Sequence, residues 1–73
     1  MDHSEILSLI NDLKEDESTS LNLAGKGLTS IPAEVFEQTQ LTELNLRENN
    51  ISELPSEIGN LTNLFRLNLS DNN

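Results

Sequence analysis

The chain has 73 residues, a formal net charge of −9 and no cysteine. A domain of this length buries only about 60% of its unfolded surface, and no disulfide or thiolate metal site can add stability. An acidic surface repels nucleic acid and anionic membranes, and the four lysines and arginines are dispersed, so we expect neither as a partner.

The N-terminal segment MDHSEILSLINDLKEDES does not have the pattern of a signal peptide, because it lacks a basic stretch and an uninterrupted apolar run. No segment of the chain is long and apolar enough to predict a transmembrane helix. Small domains without disulfides are typical of reducing compartments. We therefore expect a cytoplasmic protein.

The first predicted element is an amphipathic helix over residues 4–15. Four apolar residues recur at positions i, i+3, i+4 and i+7, and they are Ile6, Leu9, Ile10 and Leu13. We assign residues 1–17 to an N-terminal capping helix whose apolar stripe covers the first of the elements that follow. The alternative is a free helix that docks into a groove of a partner.

From residue 18 onward the sequence repeats with a period of 23 residues. The positions that match at this offset include Leu21, Leu44 and Leu67; Leu23, Leu46 and Leu69; Asn22, Asn45 and Asn68; and the pair Pro32 and Pro55. A period of this length is typical of repeat architectures, in which each unit buries its apolar residues by stacking on its neighbours.

Each repeat contains two local patterns. Polar and apolar residues alternate over 43–47, which predicts a half-buried strand, and the asparagines that follow predict a turn. Leu54, Ile58 and Leu61 are spaced as on one face of a short helical turn. Pro55 is expected to fix the start of this turn, and Gly59 to let the chain bend back.

The segment LTELNLRENNISELPSEIGNLTN (41–63) matches the pattern LxxLxLxxNxIxxLPxxIxxLxx, so it resembles the leucine-rich repeat family. The resemblance extends to a looser repeat at 18–40 and a partial one at 64–73, which together form one continuous domain. It implies an α/β solenoid, in which the N-terminal amphipathic capping helix precedes repeats whose short parallel β-sheet lines a concave face. The 23-residue type is similar to repeats of plant Ras-group proteins, animal Ras-pathway scaffolds and cyanobacterial Roco-type proteins.

Repeat 18–40 departs from the family pattern at a position that matters for the turn. In the family, an asparagine at the position of Asn49 bonds the backbone of adjacent repeats, but repeat 18–40 has Lys26 there. A lysine ammonium has no acceptor. We therefore expect this repeat to be a terminal one, in which Gly25 and Gly27 adopt turn conformations and the lysine reaches solvent.

Candidate partner-binding residues follow from the resemblance, because polar residues between the leucines form columns on the expected concave face. These residues are Asn22, Glu43, Asn45, Arg47, Arg66, Asn68 and Ser70. Neighbouring strands lie ~4.8 Å apart, so Glu43 and Arg66 are expected to pair. The asparagine column either binds an extended peptide or forms an amide ladder that satisfies itself.

The C-terminal repeat has leucines for which the sequence provides no further repeat. Exposing such residues forfeits roughly 1.5–3 kcal/mol each. We expect that the natural chain continues as a longer array, or that a second copy covers this edge in a homo-oligomer. The residues that would form the self-association edge are Leu64, Phe65, Leu67 and Leu69.

The sequence shows no catalytic or metal-binding pattern. The segment AGKGLT lacks the upstream glycine and the serine or threonine of a phosphate loop, and His3 is the only histidine. We therefore predict a non-enzyme without cofactor or metal.

Three hypotheses of function follow. The first is a scaffold module that binds a protein or peptide on its concave strand face. The second is a structural cap or self-assembling repeat fragment. The third is the regulatory repeat region of a larger protein, such as a Roco-type GTPase, with all chemistry elsewhere.

Overall fold

The computed structural model describes residues 3–72, and the side chains of residues 4–72. The elements in chain order are α1 (His3–Glu15), β1 (Ser20–Asn22), a first 3-10 helix (Ala33–Glu37), β2 (Glu43–Asn45), a second 3-10 helix (Ser56–Asn60) and β3 (Arg66–Asn68). Each strand begins 23 residues after the preceding one, so the period of the sequence is also the period of the structure. Residues 18–40, 41–63 and 64–72 are called repeats 1, 2 and 3 below.

The three strands form one parallel sheet in the order β1-β2-β3. Its register joins equivalent positions of successive repeats, because Leu21 pairs with Leu44 and Leu44 with Leu67. The prediction of an N-terminal helix followed by a short parallel sheet is confirmed. Among residues 3–72, no helix is long and apolar enough to cross a membrane.

The apolar stripe of α1 lies against the first repeat. Ile6, Ile10 and Leu13 are buried in the same core as the leucines of β1 and β2, and Leu9 packs against this core. The helix contacts both β1 and the first 3-10 helix. The apolar stripe of the helix therefore packs within the chain, and the assignment of residues 1–17 as an N-terminal cap stays a prediction.

Asn49 joins repeats 1 and 2 through its buried amide. Its Nδ2 donates to the carbonyl oxygens of Leu23 and Leu46, both at 2.9 Å, and to that of Arg47 at 3.3 Å. Its Oδ1 accepts from the backbone N–H groups of Lys26 at 3.1 Å and Leu28 at 2.9 Å. The amide therefore satisfies backbone groups of both turns, as the family pattern implies.

Asn72 repeats this arrangement one period later. Its Nδ2 donates to the carbonyl oxygens of Leu46 and Leu69, at 2.8 and 3.0 Å, and its Oδ1 accepts from Ile51 N–H at 3.0 Å. Each asparagine thus serves the repeat that precedes it. Since α1 precedes repeat 1, the position of Lys26 has no preceding turn to join, and lysine is tolerated there. Lys26 itself is half-buried rather than fully solvent-exposed.

The returning segment of repeat 2 differs from the prediction in two respects. The second 3-10 helix begins after Pro55, so Leu54 lies outside it and is 43% exposed rather than sharing a helical face with Ile58. Gly59 lies within the helix and is not among the residues with a positive φ, so the bend does not require a glycine there. Gly25 and Gly27, with φ of 66° and 69°, do adopt the predicted turn conformations.

The strand leucines are buried in repeats 1 and 2 and exposed in repeat 3. The equivalent residues Leu21, Leu44 and Leu67 are 4%, 1% and 36% exposed. On the returning segments, the change comes one repeat earlier. Ile31 of repeat 1 is buried, whereas its equivalent in repeat 2, Leu54, is exposed. The core therefore lies between α1 and repeat 2, and repeat 3 forms its outer boundary.

Candidate protein-interaction surface

The polar side chains of the three strands form one surface, which we call the strand face. Its residues are Ser20, Asn22, Glu43, Asn45, Arg66 and Asn68, in two rows that cross the strands. These residues line a shallow depression of about 490 Å³, together with Leu44, Phe65 and Leu67. The sheet therefore brings together five of the seven predicted partner-binding residues.

The three asparagines of the strand face have the same local geometry. Asn22 Oδ1 accepts from Ala24 N–H, Asn45 Oδ1 from Arg47 N–H and Asn68 Oδ1 from Ser70 N–H, each at 3.0 Å. Only the oxygen of the side-chain amide can accept a hydrogen bond from a backbone N–H. The Nδ2 group of each asparagine therefore points away from this bond. Between residues 3 and 72, no hydrogen bond engages these Nδ2 groups.

The asparagine column is consequently not an amide ladder. Each carbonyl oxygen is used two residues further along its own chain, and no hydrogen bond joins one strand-face asparagine to the next. The column presents a row of N–H donors, with neighbours ~4.8 Å apart across the strands. Such a row is complementary to carbonyl or carboxylate oxygens of a partner.

Glu43 and Arg66 are register partners, but the predicted ion pair between them is wrong. The guanidinium of Arg66 lies over the ring of Phe65, 6.0 Å from its centroid. The Glu43 carboxylate has no ion-pair or hydrogen-bond partner within the described chain. The half-buried Glu43 therefore leaves a negative charge near the middle of the strand face.

Arg47 and Ser70, the other two predicted binding residues, do not line the depression. Arg47 Nε donates to Asp71 Oδ2 at 3.2 Å, and its Nη2 lies 3.6 Å from Glu48 Oε1. Ser70 donates its hydroxyl to Asn68 Oδ1. Both residues follow the ends of their strands, where the chain turns. Their alternation with leucine predicted a place on the strand face, but the strands end before they reach these positions.

Phe65 belongs to the strand face as well as to the edge predicted for it. It is 71% exposed and immediately precedes β3. The equivalent position in repeat 2 is Thr42, whose carbonyl accepts the N–H groups of Phe65 and Arg66. The sequence signal for this role is the substitution of an aromatic residue at a position that is threonine in both earlier repeats, Thr19 and Thr42.

The predicted self-association edge is only partly exposed. Leu64 and Leu69 are half-buried against the core, whereas Phe65 and Leu67 are exposed. Leu54 is exposed as well, and the sequence analysis did not include it in this edge because its spacing placed it on one helical face with Ile58 and Leu61. Ile51, Leu54, Leu69 and Asn72 also line a smaller depression of about 210 Å³ at this end.

No group of three or more histidine, cysteine, aspartate or glutamate side chains in the described part of the chain could hold a metal ion. The absence of a catalytic site, a cofactor and a metal stays a prediction.

A family model described as "Leucine rich repeat" matches residues 19–73, from the residue before β1 onward, and it leaves α1 outside. No curated protein matches the chain.

Proposed function

The chain belongs to the leucine-rich repeat family, and we propose that it is a non-catalytic scaffold module whose strand face binds an extended segment of a protein partner. Leucine-rich repeats are generally protein-interaction modules, and the proposal assigns that role to particular residues of this chain. The repeats would continue the curvature of a solenoid, with the strand face on its concave side. Its cytoplasmic location is part of the proposal, which the lack of cysteine supports.

The observation that carries the proposal is the row of unused donors on the strand face. Asn22, Asn45 and Asn68 each keep their Oδ1 in a backbone hydrogen bond and leave their Nδ2 available. A partner that supplies acceptors gains several neutral hydrogen bonds, each worth about 0.5–1.5 kcal/mol net. Glu43 adds one unneutralised charge, which favours a partner with a complementary cation.

The proposal is tested with the double variant Asn22→Asp/Asn68→Asp. Aspartate keeps the oxygen that accepts the backbone N–H, but it replaces the outward donor with a negative acceptor. The fold is expected to persist, and peptides that bind the strand face should lose roughly tenfold or more in affinity. Random linear peptides displayed on phage are selected on the wild-type chain and then measured against the variant by fluorescence anisotropy.

The control variant Asn11→Asp/Asn60→Asp makes the same two chemical changes at exposed sites on α1 and the second 3-10 helix. It should bind the selected peptides as the wild-type chain does. If no selected peptide distinguishes the strand-face variant from this control, the proposed binding surface is wrong.

A second candidate function is self-association through the edge formed by Leu54, Phe65 and Leu67. Three exposed apolar residues beside an outer strand favour pairing with another copy, because an uncovered edge strand is a template for further pairing. The net charge of −9 opposes this association. Added salt should therefore strengthen it by screening the repulsion.

Sedimentation equilibrium over a wide concentration range tests this candidate. We expect a monomer–dimer equilibrium that shifts towards the dimer at high salt, and Leu67→Asp should keep the chain monomeric. Leu7→Asp is the matched control, because Leu7 is also exposed but lies on α1. A wild-type chain that remains a folded monomer at all concentrations would rule out this interface.

A further inference from the structure

We propose, on the basis of the binding function above, that the strand face recognises a proline-rich peptide in the left-handed polyproline II conformation, with a basic side chain opposite Glu43. The spacing of donors, the charge of Glu43 and the exposure of Phe65 each support this class of partner.

The sheet sets the spacing of the donors. Asn22 and Asn68 occupy the same register position on β1 and β3, which are two strand spacings apart, or ~9.6 Å. A polyproline II helix has three residues per turn and rises ~3.1 Å per residue, so carbonyl groups at i and i+3 face the same side ~9.3 Å apart. A peptide that crosses the strands can therefore place two carbonyl oxygens at the two outer donors.

An extended β-strand does not fit this row equally well. Its carbonyl groups on one side recur every two residues, at ~6.6–6.8 Å, which matches neither one nor two strand spacings. The polyproline II backbone also has no internal hydrogen bonds, so its carbonyl groups remain available as acceptors. Proline-rich segments are already ordered in this conformation, which reduces the entropy lost on binding.

Glu43 supplies the charge that favours a basic side chain. Its carboxylate is half-buried on the middle strand, and no residue of the described chain forms an ion pair or hydrogen bond with it. Glu43 and Asn45 are two residues apart on one face of β2, ~6.6–6.8 Å along the strand. An arginine or lysine side chain of a peptide that lies over the asparagine row is long enough to reach the Glu43 carboxylate. The net charge of −9 also attracts a basic segment.

The aromatic contribution comes from Phe65 at the β3 end of the depression. Its ring is largely exposed, and Arg66 lies over it. Grooves that bind proline-rich segments commonly use aromatic side chains to contact the proline rings. Phe65 is thus a suitable contact for the end of the peptide that passes Asn68.

The test uses a short fluorescein-labelled peptide of L-prolines with a single arginine near its middle, titrated onto the full chain at physiological salt. Its D-enantiomer has the same composition and charge but the opposite hand. We expect the L-peptide to bind at least roughly tenfold more tightly than the D-peptide. A glycine-serine peptide with the same arginine should also bind at least roughly tenfold more weakly, because it is not ordered as polyproline II.

Protein variants locate the contacts. Asn22→Asp/Asn68→Asp should weaken the L-peptide roughly tenfold, and Glu43→Gln several-fold, while Asn11→Asp/Asn60→Asp and Glu53→Gln should have no effect. Glu53 is an exposed glutamate outside the strand face, so it controls for the loss of one negative charge. Equal binding of the L-peptide and either control peptide would overturn the inference, since only charge attraction would then operate.

The failure of this inference is distinguishable from failure of the proposed function. Phage-selected peptides that lack proline, do not compete with the L-peptide and still lose affinity to Asn22→Asp/Asn68→Asp would overturn the polyproline inference and retain the strand-face function. If the double variant weakens neither the L-peptide nor any selected peptide, both proposals are wrong.

Discussion

At the scale of single residues, the asparagines of this chain have two different roles that the sequence alone does not separate. Asn49 and Asn72 use both ends of the amide to satisfy backbone groups in the turns. Asn45 uses only its oxygen and leaves its donor on the strand face. The difference arises because Asn49 is 4% exposed and surrounded by turn carbonyls, whereas the strand face is open.

Asn49→Ala is expected to lower the free energy of unfolding by at least about 3 kcal/mol, because several buried N–H and C=O groups lose their partners at about 1–3 kcal/mol each. Asn72→Ala removes equivalent bonds at a half-buried site and should lose only about 1–2 kcal/mol. Urea unfolding followed by circular dichroism measures both. Asn50→Ala, at the exposed neighbouring position, is the control, and a loss equal to that of Asn49→Ala would contradict the assigned role.

A positive φ angle also recurs every 23 residues, although the residue types at these positions differ. Gly25, Glu48 and Asp71 occupy equivalent positions and all have positive φ, of 66°, 57° and 59°. This conformation favours glycine. Repeats 2 and 3 nevertheless adopt it with acidic residues, and both acidic side chains lie beside the guanidinium of Arg47.

At the scale of elements, α1 closes the side of the core that β1 would otherwise leave uncovered. Its contacts with β1 and the first 3-10 helix place Ile6, Ile10 and Leu13 among the leucines of the repeats. The helix is thus part of the folded core even though the family match begins after it. Stability of the repeats should depend on it.

Ile10→Ala is expected to destabilise the whole chain by about 2–4 kcal/mol, since it removes a buried side chain and leaves a cavity. Leu7→Ala changes an exposed residue of the same helix and should cost well under that amount, about 0.5 kcal/mol or less. Urea unfolding monitored by circular dichroism compares the two variants. Equal, small effects would show that α1 does not contribute to the core.

At the scale of the whole molecule, stability is expected to follow the order of the repeats. Leu23 N–H donates to Asn45 O and Leu46 N–H to Asn68 O, both at 2.8 Å, whereas Leu69 N–H has no acceptor within the described chain. Leu67, the leucine of β3, is also more exposed than its equivalents Leu21 and Leu44. Repeat 3 should therefore open more readily than repeats 1 and 2.

Native-state hydrogen exchange measured by NMR tests this order. Protection should be highest at Leu23, intermediate at Leu46 and lowest at Leu69 at protein concentrations where the chain is monomeric. Uniform protection of the three amides would contradict the expected gradient and indicate a single cooperative unit.

The sequence predicted the fold well because the period of 23 constrains every repeat in the same way. Leu44 and Leu46 are buried because neighbouring repeats stack, and the stripe containing Ile10 is buried with them in the same core. The position of Leu54 was not predictable from its equivalent, Ile31, because its exposure depends on which neighbour covers it.

The repeat, the parallel strands and the N-terminal helix can be predicted from the sequence, since they follow from local periodicity and the need to bury apolar surface. Which strand-face groups are available to a partner becomes evident only in the folded chain. Asn45 turns its oxygen to its own backbone, Arg66 lies over Phe65 and Arg47 lies beside Asp71, so that Glu43 is left unpaired. The physical reason is that side-chain pairing depends on distances and orientations across neighbouring strands, which a one-dimensional pattern does not contain.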